Sequence, residues 1–426
     1  MVARDNDLPA MSAVPPDLPR QIAETLVPFE AHFGSGEFAS YDPTDIYDTS
    51  LGRRAKKAWA KDSRAAAFLY ATPLLLLDIF TPSVRKMFAK RKTHPICLAQ
   101  AGLAFLRLAQ VRPDAKDRYV SLARRCYTDL QTLATATRSG IGWGLDINWE
   151  TQSGAMPPMT PCHTQTSYVF ELITALSRLA PSDELTDCLE RIAKHTAYDY
   201  MEFEEPVSRV RVTGYSVIDK RAVLNAQSYR MVILLSAYKF FGRRDYLERA
   251  VNSLEFLLRW QAKEGAWPYS PEEPFVDGYH TCFILKNLVE AHRILRRIEG
   301  LSWTAELKAR AGVCIESGYR YFLQHLLDTH GRPIPFSVAN KPVLYRYDAY
   351  DLAEALNLLS LFGDFHRVAR LIGFFRTTMR LSTGLGRYRY YGGVSRIFPG
   401  SSYDRYANSA FFLAGANALH RLAGQP

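Results

Sequence analysis

Residues 259–285, RWQAKEGAWPYSPEEPFVDGYHTCFIL, contain the end of one predicted helix, an aromatic loop and the start of a second helix. Apolar side chains recur at helical spacing over residues 246–260, and a second apolar stripe starts at Phe283. Gly265 suits the left-handed cap that ends many helices, because a residue without a Cβ adopts it at little cost. We therefore predict a helical hairpin whose loop carries ring-bearing and reactive side chains: Trp267, Tyr269, Asp277, Tyr279 and His280.

Comparable helix openings recur at intervals of about 55 to 70 residues. In each, polar or aromatic residues precede a helix rich in Ala and Leu, and a more charged helix follows. The openings start near residues 94, 163, 224, 279, 347 and 403. Six such hairpins close most naturally into an all-α (α/α)6 toroid, with the apolar helices inside and the amphipathic helices outside. All six openings then meet at one end of the ring, where we expect the pocket.

We predict that the toroid occupies residues 60–426. Residues 1–59 are predicted to form a partly disordered N-terminal extension, because the first 45 are rich in Pro, Asp, Ser and Gly with little periodicity. The apolar run at residues 66–80 is the predicted helical partner of the first opening. Long loops precede the later openings, and loops of this length usually carry function.

The composition is that of a globular protein with a basic surface. The 426 residues are 47% apolar and 23% charged, and the formal net charge is +10. This charge suits an acidic partner such as an anionic glycan, a lipid head group or a membrane surface. Nucleic acid is not a predicted partner, because no zinc-finger spacing, RNP-like strand or long basic helix is present. The dispersed cysteines and the charged N-terminus favour free thiols and a cytoplasmic location.

The run AAFLYATPLLLLDIF at residues 66–80 has Lys and Arg on both sides. A run of this length, interrupted by Pro73 and Asp78, is too short to span a bilayer, which takes about 20 residues. Two interpretations remain open: an interfacial segment on anionic lipid, or a buried helix with solvated basic ends. The length argument favours the buried helix, and peripheral membrane association is the alternative.

Residues 249–267 contain Phe256-Leu257, Gln261 and Gly265-Ala-Trp267. This pattern resembles the QW motif of the squalene–hopene cyclase and prenyltransferase repeats, which form an α/α toroid. The acidic Asp-x-Asp-Asp motif of the cyclases is absent, which argues against terpene cyclisation.

A broader resemblance is to the VpsJ-like polysaccharide biosynthesis proteins, which share the α/α toroid architecture with six-hairpin glycosidases. The matching stretches are Trp143-Gly-Leu-Asp-Ile-Asn-Trp149-Glu-Thr, Asn225-Ala-Gln, Gly265-Ala-Trp-Pro-Tyr-Ser-Pro and Phe275-Val-Asp-Gly-Tyr-His-Thr-Cys-Phe-Ile-Leu. The resemblance implies a role in surface polysaccharide production. This chain has Asn148-Trp149-Glu150 where the family has Asp-Trp-Gln, so no particular reaction is implied.

Residues 142–150 combine two indole rings with two carboxylates: Trp143, Trp149, Asp146 and Glu150. Indole faces stack on sugar rings, and paired carboxylates can move protons during glycoside hydrolysis. Either acid can also pair with Asp277 or Asp348 across the ring. The alternative is that the tryptophans fill the ring and the acids cap helices.

The segment Asp277-Gly-Tyr-His280 is the leading candidate site. His280 and Tyr279 can act as base and acid for proton abstraction beside a uronate carboxylate, the chemistry of C5-epimerases and polysaccharide lyases. Guanidinium groups bind carboxylates, and the candidates for that role are Arg346, Arg389 and Arg405. Alternatively, Asp277 only caps a helix and His280 is a satisfied interior residue.

The segment Tyr345–Asp351 adds Asp348 as a candidate acid, three residues before Asp351 on the same helix face. No His-x-x-x-His or clustered His/Cys spacing accompanies these acids, so no metal site is predicted. No cofactor is predicted either, because the chain has no P-loop and no Rossmann turn. The remaining predicted substrate-binding residues are His163, Asn225, Trp267 and Tyr269.

The predicted function is general acid/base chemistry on a glycan, by hydrolysis, elimination or epimerisation. The predicted catalytic residues are Asp146, Glu150, Asp277, Tyr279, His280 and Asp348. The predicted partner is an oligo- or polysaccharide, with anionic and lipid-linked forms both open. One alternative is a non-catalytic toroid that binds a nascent glycan or organises a synthase complex. A third interpretation is a cyclase that acts on a prenyl chain.

Overall fold

The computed structural model describes residues 14–81, 84, 87–151, 154–298, 304–340, 342–398 and 400–424. In chain order its helices are α1 (Leu18–Gly34), α2 (Ser50–Ala60), α3 (Arg64–Phe80), α4 (Pro95–Val111), α5 (Lys116–Thr132), α6 (His163–Leu179), α7 (Asp183–Tyr198), α8 (Leu224–Phe241), α9 (Arg244–Arg259), α10 (Gly278–Arg296), α11 (Thr304–His325), α12 (Ala349–Leu361), α13 (Phe365–Phe374), α14 (Val394–Ile397) and α15 (Ser409–Leu422). In the part of the chain so described, no helix has the length and hydropathy needed to cross a bilayer.

The helices form the predicted (α/α)6 toroid. Its inner ring is α4, α6, α8, α10, α12 and α15, and each packs against the next until α15 returns to α4. Inner helices are covered on all sides, which explains why their sequences are apolar nearly all round. The outer helices α5, α7, α9, α11 and α13 each follow and pack on an inner helix.

The sixth outer helix is α1, which packs on α15. The segment at residues 66–80, predicted as the outer partner of the first opening, does not take this place. Leu26, Phe29 and Phe33 of α1 are fully buried, and both phenylalanine rings lie against the ring of Phe412. The predicted N-terminal extension over residues 1–59 therefore contains a helix of the toroid core, while its residues 1–13 lie outside the described part. Helix α1 was not predicted, because its single apolar stripe lies within a sequence rich in Pro and Ser.

A buried ion pair fastens this N-terminal segment to the last hairpin. Asp42 accepts two hydrogen bonds from the Arg405 guanidinium, at 2.5 Å from Nε and 2.6 Å from Nη2. Thr44 Oγ1 accepts a third at 3.2 Å. Both charged groups are buried, so the pair closes the ring between distant parts of the chain.

The α2–α3 hairpin lies outside the two rings. Only Ala67 and Leu74 of α3 are buried. The favoured interpretation of residues 66–80 as a buried helix is therefore wrong, because α1 already fills the outer position that α3 was expected to take. Large apolar side chains of α3 remain in contact with solvent: Phe68, Leu69, Leu76 and Phe80.

Short antiparallel strand pairs connect the loops that surround the openings. In chain order the strands are β1 (Ala39–Ser40), β2 (Lys92–Thr93), β3 (Thr135–Ala136), β4 (Ile141–Gly142), β5 (Trp149–Thr151), β6 (Gly154–Met156), β7 (Glu202–Glu204), β8 (Arg211–Thr213), β9 (Val276–Asp277), β10 (Phe336–Val338), β11 (Tyr347–Asp348) and β12 (Arg389–Tyr390). Strand β9 enters α10 and pairs with β10, and β11 enters α12 and pairs with β12. These pairs hold the starts of the inner helices in fixed positions.

Candidate functional site

Asp277 and His280 form a hydrogen-bonded dyad at the start of α10. Asp277 is the N-cap, and its Oδ1 accepts the His280 backbone N–H at 2.9 Å. Its Oδ2 lies 2.6 Å from His280 Nδ1. Among the described residues none hydrogen-bonds His280 Nε2, and the ring is partly exposed. In the neutral imidazole, this contact favours the tautomer with the proton on Nδ1, whose Nε2 lone pair can accept from a ligand.

Aromatic rings enclose the dyad. The Tyr269 ring lies 4.8 Å from the His280 ring and stacks on Phe275 at 4.7 Å. The Tyr279 ring lies 4.2 Å from His280. Burial, followed by the nearby Asp277 carboxylate, raises the pKa of Tyr279 well above its usual range. Tyr279 is therefore a protonated phenol that can donate a hydrogen bond or a proton.

A row of tyrosine rings connects this dyad with Arg389. Four side chains define what we call the tyrosine row: Tyr279, Tyr350, Tyr406 and Tyr388. Successive ring centres are 5.3, 5.3 and 6.0 Å apart. The Arg389 guanidinium lies 4.5 Å from the Tyr388 ring and 3.9 Å from that of Tyr345. Rings from three inner-helix openings thus form one wall between a base and a cation.

Asp348 is the partner of Arg389. Its Oδ2 accepts a hydrogen bond from Arg389 Nε at 3.0 Å, and its Oδ1 accepts the Tyr350 backbone N–H at 2.9 Å. Burial raises the pKa of Asp348 even though Arg389 opposes the shift. The carboxylate of Asp348 orients the guanidinium and is not open to a substrate.

Asp351 is a further acid of this site, although it was noted in the sequence only as a neighbour of Asp348. It is buried, and its Oδ1 has no hydrogen-bond partner among the described residues. Burial, then the charges of Asp348 and Asp277, raise its pKa well above the usual range. The carboxyl group packs beside Gly278, where any Cβ would collide with it. Asp351 is therefore a buried acid with a raised pKa between two helix starts.

A second group that sequence reasoning missed lies one to two turns further along the inner helices. Lys286 of α10 donates a hydrogen bond to Glu354 of α12. Tyr168 and Tyr229 lie in the same layer, with hydroxyl oxygens 3.4 Å apart. The sequence could have predicted this group, because Lys286 follows Tyr279 and Glu354 follows Tyr350 at spacings that place each pair on one helix face.

Trp143 and Trp267 do not form a sugar-stacking surface. They are only 1% and 2% exposed. Each indole donates its Nε1–H to a carbonyl in the last turn of the preceding outer helix, Leu130 at 2.8 Å and Leu257 at 2.9 Å. Both rings therefore fasten a loop to a helix end, which corrects the prediction that they bind substrate.

His163 and Asn225 are also interior residues. The His163 ring stacks on Tyr200 at 3.7 Å, and its Nε2 lies 3.2 Å from Thr213 Oγ1. Burial, followed by the charge of Arg230, lowers the pKa of His163 well below its usual value. Asn225 is buried at the start of α8. The prediction that His163 and Asn225 contact substrate is therefore corrected, because both side chains are buried.

The three predicted arginines have different environments. Arg405 is buried against Asp42 and is not available to hold a substrate carboxylate, which corrects that prediction. Arg346 is exposed, and its guanidinium lies 5.3 Å from the Tyr347 ring. Arg389 is the one of the three that is both held by a carboxylate and partly open to solvent.

The structure does not join residues 146–150 to the dyad by any contact between described residues. Asp146 is half-buried, and its carbonyl oxygen accepts a hydrogen bond from Lys92 Nζ at 2.6 Å. The Trp149 ring is covered by Lys56 Nζ at 3.7 Å. The side chain of Glu150 lies outside the described residues. The described residues also contain no group of three His, Cys, Asp or Glu side chains arranged to hold a metal ion.

No protein-family profile matches this chain, and no curated protein matches it. Solved structures share its fold at low identity. The cellobiose 2-epimerase of Bacillus thermoamylovorans is 12% identical with a TM-score of 0.56, over 76% of this chain and 87% of that chain. The cellobiose 2-epimerase of Spirochaeta thermophila is 13% identical with a TM-score of 0.53, over 88% and 100%. A family 76 glycoside hydrolase (mannosidase) of Bacteroides thetaiotaomicron is 8% identical with a TM-score of 0.56, over 96% and 100%. This likeness establishes the toroid fold.

Proposed function

We propose that this protein is a saccharide-modifying enzyme in which His280 abstracts a proton from a carbon beside a carbonyl or carboxylate group. Epimerisation is the reaction that the site supports best. The observation that carries the proposal is the Asp277–His280 dyad, in which Asp277 Oδ2 lies 2.6 Å from His280 Nδ1 and no described residue hydrogen-bonds Nε2. The proposal is also consistent with the cellobiose 2-epimerases among the proteins of similar fold.

The proposed reaction uses groups that the site already holds. His280 Nε2 takes the proton from the carbon, and the electron pair moves onto the carbonyl oxygen to give an enediolate. The Tyr279 phenol donates a hydrogen bond to that oxygen, where negative charge develops. After the planar intermediate rotates, the imidazolium returns the proton to the opposite face. The products are the epimer and neutral His280.

The proposal also covers anionic substrates, and Arg389 is the residue that supports this second version. A guanidinium at the end of the tyrosine row can hold the carboxylate of a uronate residue while His280 removes the adjacent proton. If the next carbon carries a glycosidic oxygen, the carbanion's electron pair forms a C=C bond and the C–O bond breaks. The departing oxygen then takes a proton from the imidazolium, and the result is elimination. Hydrolysis by paired carboxylates is less well supported, because Asp277 and Asp348 are both buried and occupied by internal hydrogen bonds.

The biological context forms part of the same proposal. The VpsJ-like resemblance implies production of a surface polysaccharide, and the net charge of +10 suits an acidic glycan. We therefore place acidic oligosaccharides beside neutral reducing disaccharides as the first substrates to test.

The test is proton exchange in deuterium oxide. The protein is incubated with reducing disaccharides and with uronate oligosaccharides, and products are analysed by mass spectrometry and NMR. Epimerisation adds one deuterium without cleavage, elimination gives an unsaturated fragment, and hydrolysis gives saturated fragments. His280→Ala is expected to abolish exchange, whereas the exposed His330→Ala is expected to leave it unchanged.

Two results decide against the proposal. Hydrolysis products that persist in His280→Ala contradict proton abstraction by this residue. Saccharide binding without exchange or cleavage, across the whole substrate set, supports a non-catalytic glycan-binding toroid instead.

A further inference from the structure

Helix α3 and the segment after it expose an unusual amount of apolar surface. We call the four exposed large apolar side chains of α3 the α3 patch: Phe68, Leu69, Leu76 and Phe80. Met87 and Phe88, further along the chain, are exposed as well. Leu69 is 71% exposed and Met87 is 84% exposed. Large apolar side chains clustered in this way mark an interaction surface more often than a bare solvent face.

Cationic side chains border the α3 patch. The exposed ones on α2, in the turn after it and at the start of α3 are Arg53, Arg54, Lys57, Lys61 and Arg64. Asp62 is the sole acidic residue between positions 49 and 77. The Arg64 guanidinium lies 3.7 Å from the Trp59 ring, which in turn contacts the Phe68 ring at 6.2 Å. The cationic and apolar groups therefore adjoin each other.

The same surface lies next to the loops of the candidate site. The Tyr403 hydroxyl donates a hydrogen bond to Asp78 of α3 at 3.2 Å, and the Tyr403 ring contacts Tyr388 of the tyrosine row at 5.2 Å. The Phe80 ring contacts Phe398 at 5.1 Å. Ile397, beside it, is also exposed. The α3 patch thus continues onto the loop that carries Tyr388.

We propose that the α2–α3 hairpin docks this protein on the surface of an anionic lipid bilayer, with the α3 patch among the acyl chains and the cations at the head groups. An apolar helix face bordered by Lys and Arg is the combination that binds such an interface. Helix α3 is too short to span the bilayer, so the attachment is peripheral. Docking brings the loops of the candidate site to the membrane surface, where a lipid-linked saccharide is presented.

The test is co-sedimentation of the full chain with vesicles. Vesicles of phosphatidylcholine alone are compared with vesicles in which about one third of the lipid is phosphatidylglycerol. We expect binding to the anionic vesicles that weakens as salt is added. The double variant Leu69→Glu with Leu76→Glu is expected to lower the partition coefficient on the order of tenfold or more, because two apolar anchors become anions. Val313→Glu, on the outer helix α11 and 67% exposed, is the matched control.

The cationic part of the docking surface is tested separately. Arg54→Glu with Lys61→Glu is expected to reduce binding to anionic vesicles, whereas Arg244→Glu on α9 is expected to leave it unchanged. Failure of the unmodified protein to bind anionic vesicles overturns the proposal. A dimer in light scattering that Leu69→Glu dissociates also overturns it, because the α3 patch then binds a second copy or another protein surface.

These outcomes are independent of the proposed reaction. The vesicle assay needs no turnover, so membrane binding can be established for a protein that modifies no saccharide. Conversely, Leu69→Glu with Leu76→Glu is expected to leave proton exchange on a water-soluble saccharide unchanged. A loss of that exchange would show that α3 supports the toroid itself and would count against a docking role.

Discussion

The carboxylate of Asp277 makes two different bonds to the same residue, His280. One oxygen accepts the backbone N–H and so caps α10, while the other lies 2.6 Å from the ring nitrogen Nδ1. Helix capping and imidazole orientation are therefore provided by one buried side chain. Because the two oxygens have separate roles, substitution of Asp277 can remove one role and preserve the other.

Asp277→Asn is expected to lower the proton-exchange rate by about 10²- to 10⁴-fold, the usual contribution of an oriented general base. Asparagine caps a helix as well as aspartate, but its amide group can turn N–H toward Nδ1 and place the imidazole proton on Nε2. Thermal unfolding should change little. Asp364→Asn, at the N-cap of α13, is the matched control and should affect neither property. Full activity in Asp277→Asn would contradict the proposed role of the dyad.

Arg389→Gln is expected to raise KM for uronate oligosaccharides about tenfold more than for neutral disaccharides, since one charge-assisted contact is lost. Burial already raises the pKa of Asp348, so this carboxyl can become protonated when its partner is removed. Steady-state kinetics on both substrate classes provide the measurement. Arg346→Gln, at an exposed position, should change neither KM. Equal effects of Arg389→Gln on both classes would show that the arginine does not select a carboxylate.

Gly318→Ala is expected to destabilise the protein by about 1–3 kcal/mol, because its Cβ would meet the Trp267 ring and Leu285 in a packed interior. Gly312→Ala lies on the same helix with open space around it, and should be neutral or stabilising by up to about 1 kcal/mol. Urea denaturation of both variants measures the difference. The reverse order of stabilities would contradict the assignment of Trp267 to the core.

Arg405→Met is expected to destabilise the fold by about 3–5 kcal/mol, because it leaves the Asp42 carboxylate buried without its counter-ion. Urea denaturation monitored by circular dichroism provides the measurement. The exposed Arg396→Met serves as the control and should be neutral. A near-neutral Arg405→Met would mean that the N-terminal segment is not fastened through this pair.

The stability of the fold is expected to fall as the pH is lowered from 6.5 toward 4. Burial lowers the pKa of His94 to about 4. The Asp42 carboxylate opposes this shift, whereas the charges of Arg405 and Lys92 add to it. The unfolded chain, with a pKa near 6.5, binds the proton first, so stability is present above 6.5 and decreases as the pH drops toward the folded value. The loss is on the order of 2–3 kcal/mol at pH 4. Urea denaturation at several pH values should show this decline, and His94→Gln should reduce its slope.

The hairpin pattern determined the toroid from the sequence alone, because apolar periodicity and helix caps depend on residues a few positions apart. The Asp277–His280 dyad could be predicted for the same reason, since its members share one helix turn. The sequence therefore determined the inner ring and the centre of the candidate site.

Which side chains face the interior, and which partners they contact, depends on the packing of the whole chain. Trp143 and Tyr269 both lie in aromatic loops, yet the first is bonded to the end of α5 while the second contacts His280. Arg405 is occupied by Asp42, which lies 363 positions earlier in the chain. Helix α1 occupies the outer position that was predicted for α3, so the apolar helix α3 lies outside the rings and is exposed. Each of these results depends on contacts between segments distant in sequence, and local periodicity carries no information about such contacts.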